Sequence, residues 1–242
     1  MKSFPKFLGL TLLPQWRVPN LPFSSHLSAL FDLEKIDCVL DVGANDGGYR
    51  DFLRQHVGYE GMIISFEPIP RLAEVLRKKS QSDAKWKIIE AALANEDGQR
   101  EFNIMASSQF SSFLTPDHSA TPHLIAKNNI QETVVVRVAK LASIFEEITR
   151  SISASNFYLK LDTQGYDLEV LRGAIEILPH IKGMQTELSM LPIYGNMPDY
   201  RVVLNEVESL GFCISHMFPV NHDAGLRAIE FDCVLVRENQ EL

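Results

Sequence analysis

Val39-Leu40-Asp41-Val42-Gly43-Ala44-Asn45-Asp46-Gly47-Gly48 sets the reading of the whole chain, because a buried-type strand there runs straight into a glycine-rich turn that opens a helix. Cys38–Val42 is apolar except for Asp41, as a strand covered on both faces of a parallel sheet should be. Past the turn, Tyr49, Phe52, Leu53 and Val57 recur at helical spacing. Gly43 and Gly47 let the backbone turn sharply and approach a ligand, with the free N–H groups of the helix start facing it. Asp41 then stands at the carboxyl end of its strand, where open α/β sheets bind their ligands. Strand, turn and helix in this order predict a cradle for a nucleotide-like cofactor.

What the turn lacks narrows the ligand. A dinucleotide fingerprint reads G-x-G-x-x-G, and Asn45 stands where its second glycine makes room for a pyrophosphate. A phosphate-binding P-loop needs Lys and Ser or Thr after its last glycine, whereas Tyr49 and Arg50 follow Gly48. The acids Asp41 and Asp46 repel a polyphosphate but suit an ammonium or sulfonium charge, and S-adenosylmethionine carries both. The next apolar run, Met62–Phe66, ends in Glu67-Pro68, 20 residues beyond Gly47. A carboxylate there accepts hydrogen bonds from ribose hydroxyls, a geometry that serves NAD equally well. Glu67 by itself is also compatible with a solvated acid at a strand end.

At 242 residues, with 45% apolar and 22% charged residues, the chain has the makings of one sizeable α/β core. Its net charge of −8 argues against a nucleic-acid-coating surface, and Arg77-Lys78-Lys79 fits the end of a helix instead. Cys38, Cys213 and Cys233 form no C-x-x-C pair and no zinc pattern. They read as free buried thiols of a cytoplasmic protein, with Cys213 and Cys233 as possible neighbours on two paired strands. Lys2, Lys6 and the apolar run before Pro14 faintly suggest a leader without a cleavage site; packing on the domain or contact with a partner is the expected role, an interfacial membrane contact the alternative. Nothing else approaches a membrane span, and the oligomeric state is left open.

Strands and helices alternate along the chain, as in a parallel sheet covered on both faces. A lead-in helix at Ser25 to Phe31 is followed by strands at Cys38–Val42, Met62–Phe66 and Trp86 to Leu93, with helices near 48–57 and 70–80 between them. Asn95-Glu96-Asp97-Gly98 turns into Arg100 to Met105, which resembles a hairpin arm. Ala106 to Thr133 is a long irregular segment of the kind that is functional or mobile. A strand at Val134 to Val138 and a helix at Leu141 to Ile148 lead to Phe157–Leu161, which ends in Asp162, and later to Gly183 to Leu188, which carries Glu187. After the helix ending at Gly211, Phe212 to Phe218 and Ile229 to Val236 have no helix between them and must pair antiparallel. The expectation is a seven-stranded, mostly parallel sheet finished by a C-terminal antiparallel hairpin, the class I methyltransferase layout.

With these residues in place the chain resembles the FkbM-type S-adenosylmethionine-dependent methyltransferases. The resemblance rests on the turn at 39–47, Ser65-Phe66-Glu67-Pro68, Phe157 to Tyr166 with its Lys160-Leu161-Asp162-Thr163-Gln164-Gly165, Glu169 to Ala174 with Leu171-Arg172-Gly173-Ala174, and Thr186-Glu187-Leu188. It spans roughly residues 36 to 236, so the methyltransferase domain is placed at 36–242 and residues 1–35 form an extension and lead-in helix. The resemblance implies that Asp41, Gly43, Asn45, Asp46 and Gly47 surround the methionine part of the cofactor, Glu67 and Pro68 its ribose, and Glu90, Ala91 and Ala92 its adenine. Ser111-Ser112 matches a paired serine near the family's active site. Two departures are visible: Lys140-Leu141-Ala142 replaces a common Thr-Leu-Asp, and Gln164 replaces the Glu of Asp-x-Glu-Gly.

Transfer of a methyl group to an unactivated hydroxyl needs alignment and an acceptor for the departing proton. Asp162, ending a central strand, is the first candidate base; its alternative roles are to hold the cofactor amino group or to cap the next helix. Glu187 is the second, and the two could share a divalent ion, although the spacing shows no third ligand. His118 and His123 lie in the long loop and could close over substrate as base or binder, and Tyr194 stands where substrate enters such folds. The leading expectation is O-methylation of a sugar or related small metabolite, an acidic chain suiting a neutral or cationic acceptor. An NAD-linked oxidoreductase and a non-catalytic adenosylmethionine-binding module are the alternatives.

Overall fold

The computed structural model describes residues 14–238 and the backbone of Lys6–Phe7 and Leu10–Thr11, which pair antiparallel; the leader-like run lies largely outside the described residues. In chain order the elements are α1 (Leu21–Leu33), β1 (Cys38–Val42), α2 (Gly48–Phe52), β2 (Met62–Phe66), α3 (Pro70–Ser80), β3 (Trp86–Ile89), β4 (Ala92–Leu93), β5 (Gly98–Met105), β6 (Ile130–Ala139), α4 (Leu141–Thr149), β7 (Phe157–Leu161), α5 (Asp167–Arg172), β8 (Ile181–Ser189), α6 (Tyr200–Ser209), β9 (Phe212–His222) and β10 (Ala228–Arg237). The main sheet has the order β9-β10-β8-β7-β1-β2-β3. Strands β8, β7, β1, β2 and β3 are parallel, whereas β10 runs antiparallel to β8 and to β9. The expected seven strands and closing hairpin are therefore present.

Alternate residues of the central strands feed two separate cores. Leu40, Val42, Ile64, Phe66, Leu159 and Leu161 pack on one face, and Val39, Ile63 and Tyr158 on the other. Burying both faces explains why these strands read as nearly continuous apolar runs. Helix α1 covers the second face: Leu27, Leu30 and Phe31 are buried, and Phe31 packs on Tyr158 and Tyr59 with ring centroids 4.9 and 5.2 Å apart. Toward the carboxyl ends this second face turns polar. Ser65, Asp41, Lys160 and Gln185 are lateral neighbours across β2, β1, β7 and β8, and all four are buried.

The structure corrects four local expectations. The run Trp86 to Leu93 is two strands: β3 leaves the main sheet at Ile89, and β4 pairs with Val138 and Ala139 of β6 in a second, three-stranded sheet of order β4-β6-β5. Consequently β5 is no hairpin arm of the preceding strand; its antiparallel partner is β6. The helix after the turn changes from α-helical to a π-helical turn at Leu53–Val57. Cys233 lies opposite Thr186 and Met217, not Cys213, and Cys213 is exposed while Cys38 and Cys233 are buried. All three thiols are free.

Candidate functional site

Gly43 has φ +80°, and a Cβ there would sit 2.0 Å from the backbone oxygen of Asp162. No other residue type lets the turn after β1 lie so close to the end of β7. The amides of Gly43 and Ala44 donate to Phe66 O at 3.1 and 3.0 Å, which fastens the turn to β2. Asn45 is left-handed at φ 48°, a conformation Asn tolerates better than most side chains. Its amide donates to Glu67 Oε2 at 2.7 Å, and its Oδ1 accepts from the Ser108 hydroxyl at 2.8 Å. Asn45 thus serves as a structural link at the position where a dinucleotide site requires a glycine.

Glu67 is 3% exposed and also accepts from the Ile69 amide at 2.8 Å. Burial pushes its pKa up to about 7, against the two backbone hydrogen bonds that favour the charged form. A carboxylate kept buried beside an open cavity is poised to accept hydroxyl hydrogen bonds. That cavity, about 520 Å³, runs along the carboxyl ends of β1, β2, β7 and β8. Its lining includes the turn, Glu67, Pro68, Ala91, Ala92 and Phe110, and also Asp162, Glu187, Glu230 and Asp232. Its volume lies in the usual range for small-molecule sites.

Lys160 holds the floor. Its Nζ lies 3.2 Å from Asp41 Oδ1 and 3.3 Å from Asp162 Oδ2, and donates to the carbonyls of Gly43 and Val42 at 3.2 and 3.4 Å. Burial opposes its charge, but Asp162 and Asp41 outweigh that and hold its pKa above the usual lysine range. Asp41 itself is fully buried and accepts at Oδ2 from the Ser65 hydroxyl at 2.8 Å. Ser65 in turn accepts from the Trp86 indole at 2.9 Å. Of the two acids paired with Lys160, Asp162 lines the cavity with its side chain 40% exposed, and Asp41 does not.

Gln164 joins the remaining polar groups. Its Nε2 donates to Asp162 Oδ1 at 3.0 Å and to Glu187 Oε2 at 2.9 Å, while its Oε1 accepts from the Tyr194 hydroxyl at 2.9 Å. Only this orientation of the amide avoids setting a carbonyl oxygen against two carboxylates. Ser112 donates to Gln164 O at 2.9 Å and so ties the irregular segment to the loop after β7. Burial first, then the carboxylates of Asp162, Glu230 and Asp232, push the Glu187 pKa well up. Burial likewise raises Glu230, and lifts Asp232 to about 6. Beside them the Tyr49 hydroxyl donates to Gln185 Oε1 at 3.1 Å, and Gln185 Nε2 to Asp232 Oδ1 at 2.9 Å.

Gly43, Asn45, Asp46, Glu67, Pro68, Ala91, Ala92, Ser111, Asp162 and Glu187 all line the cavity. Asp41, Gly47, Ser112 and Tyr194 stand behind its wall; Tyr194 and Ser112 act through Gln164. Glu90 points away, in an ion pair with Arg77 at 2.7 Å. His118 is also outside the lining, with Nε2 on Asn128 O, and His123 does not reach it. Among the described residues no group of three or more His, Cys, Asp or Glu is placed to hold a metal. Sequence reasoning passed over Lys160, Gln164, Gln185, Glu230 and Asp232 as site residues. Lys160 and Gln164 stood in the motif that carries the family resemblance, and the signal for Gln185 was a polar residue inside an apolar strand.

Residues 41–214 match the family model of the Methyltransferase FkbM domain. The chain belongs to the FkbM methyltransferase family. It is also 25% identical over 226 residues, 90% of this chain and 87% of the relative, to the 2-O-methyltransferase NoeI of Sinorhizobium fredii (strain NBRC 101917 / NGR234). Among solved structures it is similar to a methyltransferase FkbM from Methylobacillus flagellatus KT (TM-score 0.48, 12% identity, 83% of this chain), spanning 43% of that protein's length. It is similar too to an rRNA methylase from Streptococcus thermophilus (TM-score 0.46, 10% identity, 90% of this chain and 97% of that one).

The FkbM span explains a motif that touches no part of the cavity. In Leu171-Arg172-Gly173-Ala174, a Cβ on Gly173 would lie 1.9 Å from Ala94 O. This glycine lets the end of α5 rest on the chain just after β4, and its own carbonyl accepts from the Ala142 amide at 3.0 Å. The span ends within β9, so α1 and nearly all of the terminal hairpin flank the matched part. The match to a methyltransferase family does not favour the NAD-linked alternative. No helix among the described residues is long and apolar enough to cross a membrane.

Proposed function

We propose that this FkbM protein transfers a methyl group from S-adenosylmethionine to a hydroxyl of a sugar or related small metabolite. The observation that carries the reading is Asp162: ion-paired to Lys160, hydrogen-bonded by Gln164, and still open to the cavity. The residues fit the cofactor. Glu67, at the edge of the cavity, offers acceptors for ribose hydroxyls, the turn amides sit beside it, and Ala91 and Ala92 give apolar walls suited to a base. When bound, S-adenosylmethionine supplies a methyl group on a positively charged sulfur.

The chain's own part is alignment and proton acceptance. Asp162 accepts the proton of the acceptor hydroxyl as that oxygen becomes an ether oxygen, with Lys160 and Gln164 fixing the carboxylate. Burial and the neighbouring carboxylates raise the Glu187 pKa, which leaves Asp162, the more exposed acid, as the first proton acceptor. The name of the relative from S. fredii, a 2-O-methyltransferase, supports an oxygen acceptor.

Binding calorimetry with S-adenosylmethionine, followed by transfer of labelled methyl to a panel of glycosides, tests the proposal; no heat of binding sinks it. Asp162→Asn should keep cofactor affinity within about twofold and lower turnover by roughly 10²–10⁴, the usual contribution of a general base. A large loss of cofactor affinity would instead make Asp162 an anchor for the donor.

A further inference from the structure

The cavity is larger than its family-matched part accounts for. Asn20 and Phe23 of the α1 region, Val220 and Asn221 of β9, and Glu230 and Asp232 of β10 all line it, and all six lie outside residues 41–214. They form one continuous wall with the matched residues. Phe23 packs on Phe52 and on Phe218 with ring centroids 5.1 and 4.7 Å apart, and Phe52 lies 6.0 Å from Tyr49. From Tyr49 the hydrogen bonds through Gln185 lead to Asp232, which faces Glu187 across the β8–β10 pair. The wall is thus apolar and aromatic on the helix side, polar on the hairpin side.

The chemistry of the polar side is one-sided. Every charged lining residue is a carboxylate except Lys160, whose ammonium is occupied by two carboxylates and two carbonyls. Asn221 Nδ2 donates to Glu230 Oε2 at 2.7 Å, which leaves Asn221 Oδ1 shielded from solvent and accepting from no group among the described residues. A buried acceptor without a donor is unfavourable, and a ligand hydroxyl would supply the missing donor. A phosphate or carboxylate brought into this wall meets like charge and, among the described residues that line it, no free cation.

Resting on the reading of the site as a hydroxyl methyltransferase, we propose that α1 and the terminal hairpin form its acceptor subsite, which takes an uncharged glycosyl ring. The apolar face of the ring lies against Phe23 and Phe52, and its hydroxyls donate to Asn221 Oδ1, Glu230 and Asp232. A nucleotide-activated or phosphorylated sugar is disfavoured. The reaction that supplies the substrate is then a glycosyl transfer, which leaves the sugar without its phosphates before methylation.

The experiment uses the full chain saturated with S-adenosylhomocysteine, titrated by saturation-transfer NMR and calorimetry. The probes are neutral methyl glycosides of hexoses and 6-deoxyhexoses, glucosamine and glucose 6-phosphate. The best neutral glycoside should bind at least tenfold more tightly than glucose 6-phosphate. Phe23→Ala and Asn221→Ala should each weaken it fivefold or more, with S-adenosylhomocysteine affinity kept within twofold. The assignment is overturned if both variants bind the glycoside as the parent does, if glucose 6-phosphate or glucosamine binds best, or if no neutral glycoside binds. Failure to bind S-adenosylhomocysteine overturns the methyl-donor reading and this one with it, whereas donor binding without glycoside binding overturns the acceptor assignment alone.

Discussion

Replacing Lys160 by Met should destabilise the protein far more than a surface charge change, and a second substitution, Asp41→Asn, should recover much of the loss. At 3.2 Å and an effective dielectric of 20, the Lys160–Asp41 attraction is about 5 kcal/mol before desolvation is counted. Asp162 adds a smaller share, because its side chain is 40% exposed and solvent screens it. Lys160→Met leaves Asp41 fully buried with the Ser65 hydroxyl as its donor. Breaking a buried pair in this way costs about 3–5 kcal/mol. With Asn at position 41 the uncompensated charge is gone, so the double variant should be less destabilised than the sum of the single variants by about 2 kcal/mol or more. Urea unfolding of the four proteins at neutral pH supplies the cycle. Single effects that add to within about 0.5 kcal/mol would refute the account of Lys160 as the counter-charge of the sheet floor.

Gly43→Ala meets both a left-handed backbone and the Asp162 carbonyl, so stability should fall by roughly 2 kcal/mol or more and cofactor affinity by roughly tenfold; thermal melting and calorimetry read the two losses. Glu67 has a folded pKa of about 7 against an ordinary value of 4.5, so the folded state holds more protons between those values, and this residue's contribution to stability falls by about 3 kcal/mol as pH rises through that window. Cofactor affinity should move the other way, rising from pH 6 to pH 8 as the carboxylate forms; Glu67→Gln should flatten both profiles and weaken binding. Tyr194→Phe removes the hydroxyl whose single hydrogen Gln164 Oε1 and Phe110 O both face, and should cost about 1–3 kcal/mol while lowering methyl-transfer turnover more than cofactor affinity.

The parallel core was legible because strands buried on both faces must be apolar, and the cofactor turn because close backbone approach admits few residue types. Glu67 was legible as a strand-end acid, and the structure adds that Asn45 and Ile69 amides hold it. Trp86 to Leu93 misled because one apolar run can serve two sheets; only the pairing of Ala92 and Leu93 with β6 divides it. His118 drew attention by its chemistry, yet its ring is engaged by Asn128 O inside its own loop.

Local pattern alone therefore determined the strand–turn–helix cradle, the closing hairpin and the acids at the strand ends, since each is written in residues adjacent in the chain. Tertiary structure decided everything that depends on register between strands far apart in sequence. It set Lys160 beside Asp41 and Gly43, Glu187 opposite Asp232, and Gln164 between Asp162 and Glu187. It also brought Phe23 of α1 to the cavity wall, against Phe52. A buried lysine or glutamine is a plain anomaly in a strand until its partners are known, because the free energy of a buried charge or amide is fixed by what it faces.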